Sequence, residues 1–261
     1  MTLPRLACVF LLYASCLVCP NDGVEIINGK EVVPHSMPYM ALLENKQGPI
    51  CGGTLISPKW VLTAAHCYNG TKKFNINKVM LGVHNLKNEE NDSRQIREVK
   101  DFIIHPCYDS QEKVNDLMLI KLAKSVKETK TVSVLPLRKS VEDPPTGSTC
   151  LVAGWGYTKN KAKKGSDVLM SVNVTVIDRV KCNSKQYYNF KPTITRGHIC
   201  AGSDGTNVAD SCNGDSGGPL LCKRNLVGVT SFGEDCGRIQ KPGVYAFLTE
   251  KQIKWIRKYV K

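Results

Sequence analysis

The chain has 261 residues, of which 42% are hydrophobic and 23% are charged, and its formal net charge is +13 at pH 7. This composition supports one sizeable hydrophobic core or two small ones and excludes an intrinsically disordered chain. The positive charge favours anionic partners, although a solvated basic surface would have the same composition.

An apolar run lies near the start of the chain. Residues 2–19 place Arg5 ahead of Leu6–Cys19, a run too short for a membrane helix. A cationic residue followed by such a run predicts a cleaved secretory signal over residues 1–23. Since no later segment has enough consecutive apolar residues to span a bilayer, we expect no membrane span in the mature protein.

Short runs rich in β-branched residues follow, separated by Gly, Pro, Asn and Lys. This pattern predicts an antiparallel all-β protein, either a sandwich or a barrel. A Pro-rich polar stretch, 136–149, is the predicted linker between two β halves. The last segment predicts a helix, with Thr249 and Gln252 as a capping pair and an apolar stripe that docks on the second half. The predicted strands are 39–44, 52–57, 60–65, 78–83, 116–122, 150–155, 171–177, 226–232 and 243–248.

The cysteine content indicates disulfides. Cys8, Cys16 and Cys19 fall within the predicted signal, so nine of the twelve cysteines remain, an odd number that cannot all pair within one chain. The sequence has no CxxC repeat, and the His-Cys step at 66–67 lacks partners at zinc spacing, so we expect no metal.

Two basic runs, residues 159–164 and 251–261, are candidate contacts for an anionic partner. Secretion argues against nucleic acid as the primary ligand, and the chain has no basic motif studded with aromatic residues. An anionic proteoglycan and a merely solvated basic surface both remain open.

Three separate motifs hold the side chains that nucleophilic catalysis needs. Ser216 lies in "GDSGGP", and a serine hydroxyl needs a base that is held in turn by a carboxylate. His66 closes the apolar run "WVLTAAH". Asp116 opens the apolar run "DLMLIKL", where a carboxylate without a partner would be costly. His66 is the obvious partner for Asp116.

The order of these residues, and the words "TAAHC", "NDL" and "GDSGGP", resemble the chymotrypsin-like, trypsin-fold serine proteases from Ile26 to the C-terminus. The resemblance implies two six-stranded antiparallel β-barrels with a C-terminal α-helix, the first barrel over about residues 26–135 and the second over 150–261. It also implies an endopeptidase that acts on protein substrates without a cofactor. His66, Asp116 and Ser216 would be its catalytic residues.

The resemblance gives roles to the residues around Ser216. The backbone N–H groups of Gly214 and Ser216 would form the oxyanion hole. Asp215 would pair with the α-ammonium group that appears when the chain is cut before Ile26, so that cleavage switches the enzyme on. Asn28 stands where the family has glycine, and Asn tolerates positive φ best among the other residues.

The resemblance also implies a primary specificity pocket with a carboxylate, Asp210, at its floor. That charge would select lysine or arginine, with arginine held bidentately. Phe232 stands where many relatives have tryptophan. The implied pocket walls are Ser231, Phe232, Gly233 and Gly243.

Calcium is not expected, because Val83 replaces the carboxylate that begins trypsin-like calcium loops, and Glu89 and Glu90 are interpreted as solvated charges.

The activation junction resembles that of granule-stored granzymes. A cut after Gly23 would leave the dipeptide 24–25, whose acidic end is unsuited to a tryptic activator. Further sequence segments favour granzymes of the A type, with the K type as the alternative. Cys107 in "HPCYD" distinguishes the two types. A secreted, cytolytic-granule protein is expected. A catalytically inactive heparin-binding relative would lack a catalytic or pocket residue, and none is missing.

The same resemblance implies four intrachain disulfides and leaves Cys107 for an interchain bridge in a disulfide-linked homodimer. The implied pairs are Cys51–Cys67, Cys150–Cys222, Cys182–Cys200 and Cys212–Cys236.

Three sequons are candidates for glycosylation, at Asn69, Asn91 and Asn173.

Overall fold

The computed structural model describes residues 29–68, 70, 75–157, 164–205, 209–212 and 214–260. Residues 1–28, which carry the predicted signal and activation dipeptide, lie outside this part of the chain, as does Asn69. The strands of the first half are β1 (Lys30–Glu31), β2 (Met40–Asn45), β3 (Gly48–Ser57), β4 (Trp60–Thr63), β5 (Lys78–Leu81), β6 (Gln95–Ile104) and β7 (Met118–Leu122). Those of the second half are β8 (Thr149–Gly154), β9 (Met170–Ile177), β10 (His198–Gly202), β11 (Pro219–Cys222), β12 (Asn225–Phe232) and β13 (Gly243–Phe247). The helices are α1 (Arg179–Asn183) and α2 (Glu250–Tyr259).

The first half forms a closed barrel of six antiparallel strands in the order β2-β3-β4-β7-β6-β5, with β5 returning to β2. Its inward side chains are aliphatic and fully buried, among them Leu62, Leu81 and Ile120. Burial of this apolar area is the main favourable term that holds the barrel closed.

The second half also closes on itself. Strand β8 pairs antiparallel with both β9 and β11, which closes the six-stranded ring β8-β9-β10-β13-β12-β11. Strand β1 lies outside the ring and pairs with β9. The predicted all-β fold of two six-stranded barrels with a C-terminal α-helix is therefore confirmed.

The structure adds elements that the sequence pattern missed. Strands β1, β6, β10 and β11 and helix α1 were not predicted. In β6 the side chains alternate only between exposed and half-buried, so its apolar signal is weak. Helix α1 has only five residues, with Asp178 as its N-cap accepting from the N–H of Lys181 at 2.9 Å. A helix this short shows no apolar periodicity.

The cap of α2 differs from the predicted one. The hydroxyl of Thr249 contacts the side-chain oxygen of Gln252 and makes no side-chain bond to the helix backbone. The amide of Gln252 instead donates to Oδ1 of Asn115 at 2.8 Å. The capping-box prediction was therefore wrong in its bonding, because Gln252 has a tertiary partner.

Four disulfides join the cysteine pairs that the resemblance implied, and Cys107 is free and exposed. Between β7 and β8 the chain runs from 123 to 148 without a strand or helix, a range that includes most of the predicted linker. Among the described residues, no helix combines the length and apolar content needed to cross a bilayer.

Candidate active site

His66 and Asp116 lie together at the end of the first barrel. His66 sits in a single 3-10 turn, Ala65–Cys67, just after β4, and the disulfide from Cys67 to Cys51 ties this turn to β3. Nδ1 of His66 lies 2.7 Å from Oδ2 of Asp116, and the backbone N–H of His66 donates to Oδ1 at 2.9 Å. An ionised carboxylate only accepts, so the proton is on Nδ1 and Nε2 is left as a base.

Asp116 is fully buried. Burial by itself would raise the pKa of its carboxyl. The hydrogen bond and charge of His66, with the hydrogen bond of Ser231, outweigh burial and hold the pKa of Asp116 below its usual range. Asp116 therefore stays ionised and orients the imidazole.

Ser231 adds a contact that the sequence did not reveal. Its hydroxyl donates to Oδ2 of Asp116 at 2.5 Å, although Ser231 lies on β12 of the other barrel. The resemblance gave this residue only as a wall of the pocket. The structure shows it lining the cavity and also bonding the carboxylate behind His66.

Ser216 lies in a tight turn that both barrels hold. Its carbonyl oxygen accepts from the N–H of Gly52 on β3 at 2.8 Å. Gly217 has φ +79°, and a Cβ there would lie 2.1 Å from Oγ1 of Thr63 and 2.6 Å from the carbonyl oxygen of Gly52. Glycine is therefore required for the turn to approach the first barrel this closely. Ser216 and His66 line the same cavity.

Gly214 is exposed, has φ +98° and precedes Ser216 by two residues. A Cβ at this position would lie 2.8 Å from Cα of Gly156, so the backbone of the second barrel excludes a side chain here. Within the described chain, the N–H groups of Gly214 and Ser216 donate to no backbone carbonyl, as a pair of free oxyanion donors requires.

Asp215 is fully buried and is not among the residues that line the cavity of His66 and Ser216. Its two oxygens accept from the N–H groups of Gly156 and Cys212, each at 2.9 Å. Burial raises the pKa of Asp215 to about 6, against these two hydrogen bonds, which lower it. Ile26, its predicted partner, lies outside the described residues, so the ion pair stays a prediction.

Asp210 lies deep in a cavity of about 320 Å³ that also reaches His66 and Ser216. Its carboxylate accepts from the N–H groups of Gly237 at 2.9 Å and Gly243 at 3.2 Å. Burial raises the pKa of Asp210 to about 7, against these hydrogen bonds and with a smaller contribution from the charge of Asp215. In the part of the chain that the structure describes, no basic side chain pairs with Asp210.

The predicted pocket walls surround Asp210. Ser231, Phe232 and Gly233 line the same cavity. A Cβ on Gly243 would lie 2.8 Å from Oγ of Ser211 and 3.1 Å from Oδ1 of Asp210, so a side chain there would fill the space beside the carboxylate. The room beside Asp210 therefore depends on this glycine.

The sulfur and imidazole groups of Cys51, His66 and Cys67 lie close enough to suggest a metal centre. However, the two cysteines form a disulfide, so neither offers a thiolate.

Glu90, interpreted from the sequence as a solvated charge, instead accepts from the N–H groups of His84 at 2.7 Å and Asn85 at 3.0 Å and orders its loop.

Comparison with known proteins agrees with this geometry. The family model described as Trypsin matches residues 26–256. The chain belongs to the trypsin family of serine proteases. It is 43% identical over 258 residues to bovine (Bos taurus) granzyme A, covering 98% of this chain and 95% of that protein. It is 40% identical to human (Homo sapiens) kallikrein-4, covering 90% of this chain and 87% of that protein.

A solved trypsin-family structure matches as well: neuropsin, a serine protease expressed in the limbic system of mouse brain. Its TM-score is 0.78 at 36% identity, and the match covers 90% of this chain and 99% of neuropsin. This trypsin-family chain is therefore a hydrolase of the serine protease class, with the two-barrel fold of its neighbour.

Proposed function

We propose that this protein is an endopeptidase that cleaves after lysine or arginine, with His66, Asp116 and Ser216 as its catalytic residues. The observation that carries the specificity is Asp210, a buried carboxylate without a basic partner among the described residues, in the cavity that holds His66 and Ser216. A buried charge without a counter-charge is costly, so a cationic substrate side chain that reaches it is favoured.

The chemistry is inferred from the His66–Asp116 hydrogen bond and from the cavity that His66 shares with Ser216. Nε2 of His66 takes the proton from Oγ of Ser216 as this oxygen bonds to the substrate carbonyl carbon. The imidazolium that forms is stabilised by Asp116, and its proton then passes to the leaving amine. The N–H groups of Gly214 and Ser216 bind the oxyanion. Water attacks the acyl-enzyme in the second half, and the proton it loses returns to Ser216 through His66.

We further propose that the enzyme is made as a zymogen. Residues 1–23 are the signal peptide, the dipeptide 24–25 is the activation segment, and the protease domain covers 26–261. Release of Ile26 supplies the ammonium group that pairs with Asp215. The elevated pKa of Asp215, about 6, supports this role, since among the described residues its carboxylate has two N–H donors and no basic partner.

The protein is proposed to be a granzyme A-like, secreted or granule-stored protease of cytotoxic lymphocytes, with a granzyme K-like tryptase as the alternative. The similarity to bovine granzyme A supports this assignment. Cys107 is exposed and free, which supports a disulfide-linked homodimer and favours the granzyme A-like assignment over the granzyme K-like one. The net charge of +13 supports an anionic proteoglycan as a partner. Asn91 and Asn173 are both exposed, as a glycan acceptor must be.

The specificity is tested with purified protein that starts at Ile26 and a library of peptides that differ at the residue before the cut. We expect cleavage after arginine and lysine, loss of turnover in Ser216→Ala, and loss of the basic preference in Asp210→Ser with folding retained. Equal rates on phenylalanine and arginine peptides would contradict the role of Asp210.

A further inference from the structure

His198 is a buried histidine that the sequence analysis left without a role. It is the first residue of β10 and is 0% exposed. Its Nδ1 accepts from the N–H of Thr195 at 3.1 Å, and its Nε2 lies 3.0 Å from the carbonyl oxygen of Lys113. Since a carbonyl only accepts, the proton is on Nε2. These two bonds fix the neutral Nε2–H tautomer.

Lys113 belongs to the loop that delivers Asp116, three residues further along the chain. The loop is strained: Lys113 has φ +58° and Asn115 has φ +54°, a region that residues other than glycine adopt at a cost. Such a conformation persists only where surrounding contacts impose it. His198 supplies one of these contacts from the second barrel.

Besides hydrogen bonds within the loop, such as the one from Asn115 to the carbonyl of Cys107, two side-chain contacts reach it from other elements. The N–H of Thr193 donates to Oε2 of Glu112 at 3.2 Å, and Gln252 donates to Asn115 at 2.8 Å. The Glu112 contact is exposed to water, whereas the imidazole of His198 is not. A hydrogen bond shielded from water constrains the backbone more strongly than an exposed one.

The same imidazole also packs against Phe232, a second residue that lines the substrate cavity. The rings of His198 and Phe232 lie edge to face, with centroids 6.0 Å apart and planes at 83°. Phe232 and Lys113 both line the cavity that contains His66. One buried side chain therefore contacts two residues that line this cavity.

We propose that His198 is a positioning residue that sets the walls of the substrate cavity formed by Lys113 and Phe232. The proposal rests on the proposed proteolytic function for its consequence in catalysis, although its structural part stands without it. His198 touches neither substrate nor Ser216 in this role; it acts through the Lys113 loop and the Phe232 ring.

The surroundings keep His198 neutral. Burial lowers the pKa of its imidazole, the charge of Arg179 lowers it further, and the Lys113 carbonyl and the charge of Asp116 act in the opposite direction. A second proton on Nδ1 would face the N–H of Thr195 and remove that bond. The bond to the Lys113 carbonyl is donated by Nε2–H and is therefore kept in both protonation states.

Three substitutions separate the two hydrogen bonds. His198→Gln can still donate to Lys113, because its amide nitrogen reaches the position of Nε2. His198→Asn can accept from Thr195 but is too short to reach Lys113. His198→Phe keeps the edge contact with Phe232 and loses both bonds. Matched controls are Glu112→Gln, which keeps an acceptor at the exposed contact, and His84→Gln, which alters a buried histidine elsewhere.

The first measurement is amide hydrogen exchange over residues 105–117, which needs no activity. We expect roughly five- to tenfold faster exchange in His198→Asn and His198→Phe, the loss of about one hydrogen bond, with partial protection restored in His198→Gln. The two controls should leave this segment unchanged. Equal exchange in wild type, His198→Asn and His198→Phe would overturn the proposal, and if His198→Phe does not fold, the Asn and Gln variants decide.

The second measurement is KM and kcat on an arginine peptide. A loosened cavity should raise KM more than it lowers kcat in His198→Asn, and His198→Gln should recover much of the difference. Unchanged kinetics in an active His198→Asn protein would reject the catalytic consequence. An inactive wild-type protein would instead contradict the proposed function, and the exchange result would still decide whether His198 holds the loop.

Discussion

Oδ2 of Asp116 accepts two hydrogen bonds, from Oγ of Ser231 at 2.5 Å and from Nδ1 of His66 at 2.7 Å. The two donors come from different barrels, so the surroundings of the carboxylate behind His66 depend on how the barrels dock. Ser231 is the residue through which the second barrel stabilises the ionised form of Asp116.

Ser231→Ala should lower kcat. A hydrogen bond to a charged group contributes about 1.5–3 kcal/mol, so the loss corresponds to roughly ten- to a hundredfold in kcat if it is expressed fully in the transition state. The pKa of Asp116 should rise, because one of the interactions that lower it disappears. Kinetics across pH measure both effects. Ser140→Ala, an exposed serine, is the control, and an unchanged kcat in Ser231→Ala would contradict this role.

Binding of a cationic ligand should release a proton from Asp210. Its pKa of about 7 in the free protein lies above the unfolded value of about 3.9. The empty pocket therefore favours the protonated carboxyl, and folded-state stability from this group falls as pH rises from about 4 to about 7. A cation needs the ionised form. As the pH is raised towards 7, the affinity of Ser216→Ala for an arginine peptide should increase, by up to about tenfold per pH unit. Above pH 7 the affinity should level off.

Calorimetry in two buffers of different ionisation enthalpy measures that proton release. Asp210→Asn is the matched control, since it removes the ionisable group at position 210 and keeps the shape of the side chain. Its binding should be weak and lack the pH dependence due to Asp210. Affinity that is constant from pH 5.5 to 8 in the Ser216→Ala protein would show that Asp210 is already ionised in the empty pocket.

Gly214→Ala should damage the oxyanion hole. The new Cβ would lie 2.8 Å from Cα of Gly156 at φ +98°, so the backbone must rotate and its N–H must turn. Loss of one oxyanion donor costs about 10²–10³ in kcat. Gly205→Ala is a matched control, because Gly205 has φ +100° with nothing within 4 Å of its Cβ. Comparable losses of kcat in the two variants would argue that the effect is not local to the oxyanion hole.

Activity should depend on a free α-amino group at Ile26. Protein that begins at Ile26 should be active, and protein that keeps Glu25 should be inert, because only the former can supply a cation to Asp215. Asp215→Asn should remove this difference by inactivating both forms. The measurement is hydrolysis of an arginine peptide, and full activity with the extension in place would refute the ion-pair switch.

Cys107→Ser should convert a covalent dimer into a monomer. Cys107 is exposed and is the one free cysteine in the described part of the chain, and an exposed thiol in an oxidising compartment tends to pair. Electrophoresis without reductant should show twice the reduced mass for wild type and a single mass for the variant. A wild-type protein that runs as a monomer would favour the granzyme K-like alternative.

The sequence by itself determined the all-β fold and the family, because strand periodicity and the words around His66, Asp116 and Ser216 are local features. It located most strands of both barrels, but missed β6, β10 and β11, whose apolar signals are short or weak. It located Asp210 and the pocket walls through resemblance, and the structure brings Asp210, Ser231, Phe232 and Gly233 into one cavity.

Only the tertiary structure decided which groups touch across the barrels. The bond from Ser231 to Asp116 joins residues 115 positions apart, and the bond from His198 to Lys113 joins residues 85 positions apart. No local propensity encodes such contacts, since they arise where two closed barrels dock. The raised pKa of Asp210 is decided in the same way, because it depends on the depth of burial and on the absence of a nearby basic partner among the described residues, neither of which the sequence specifies.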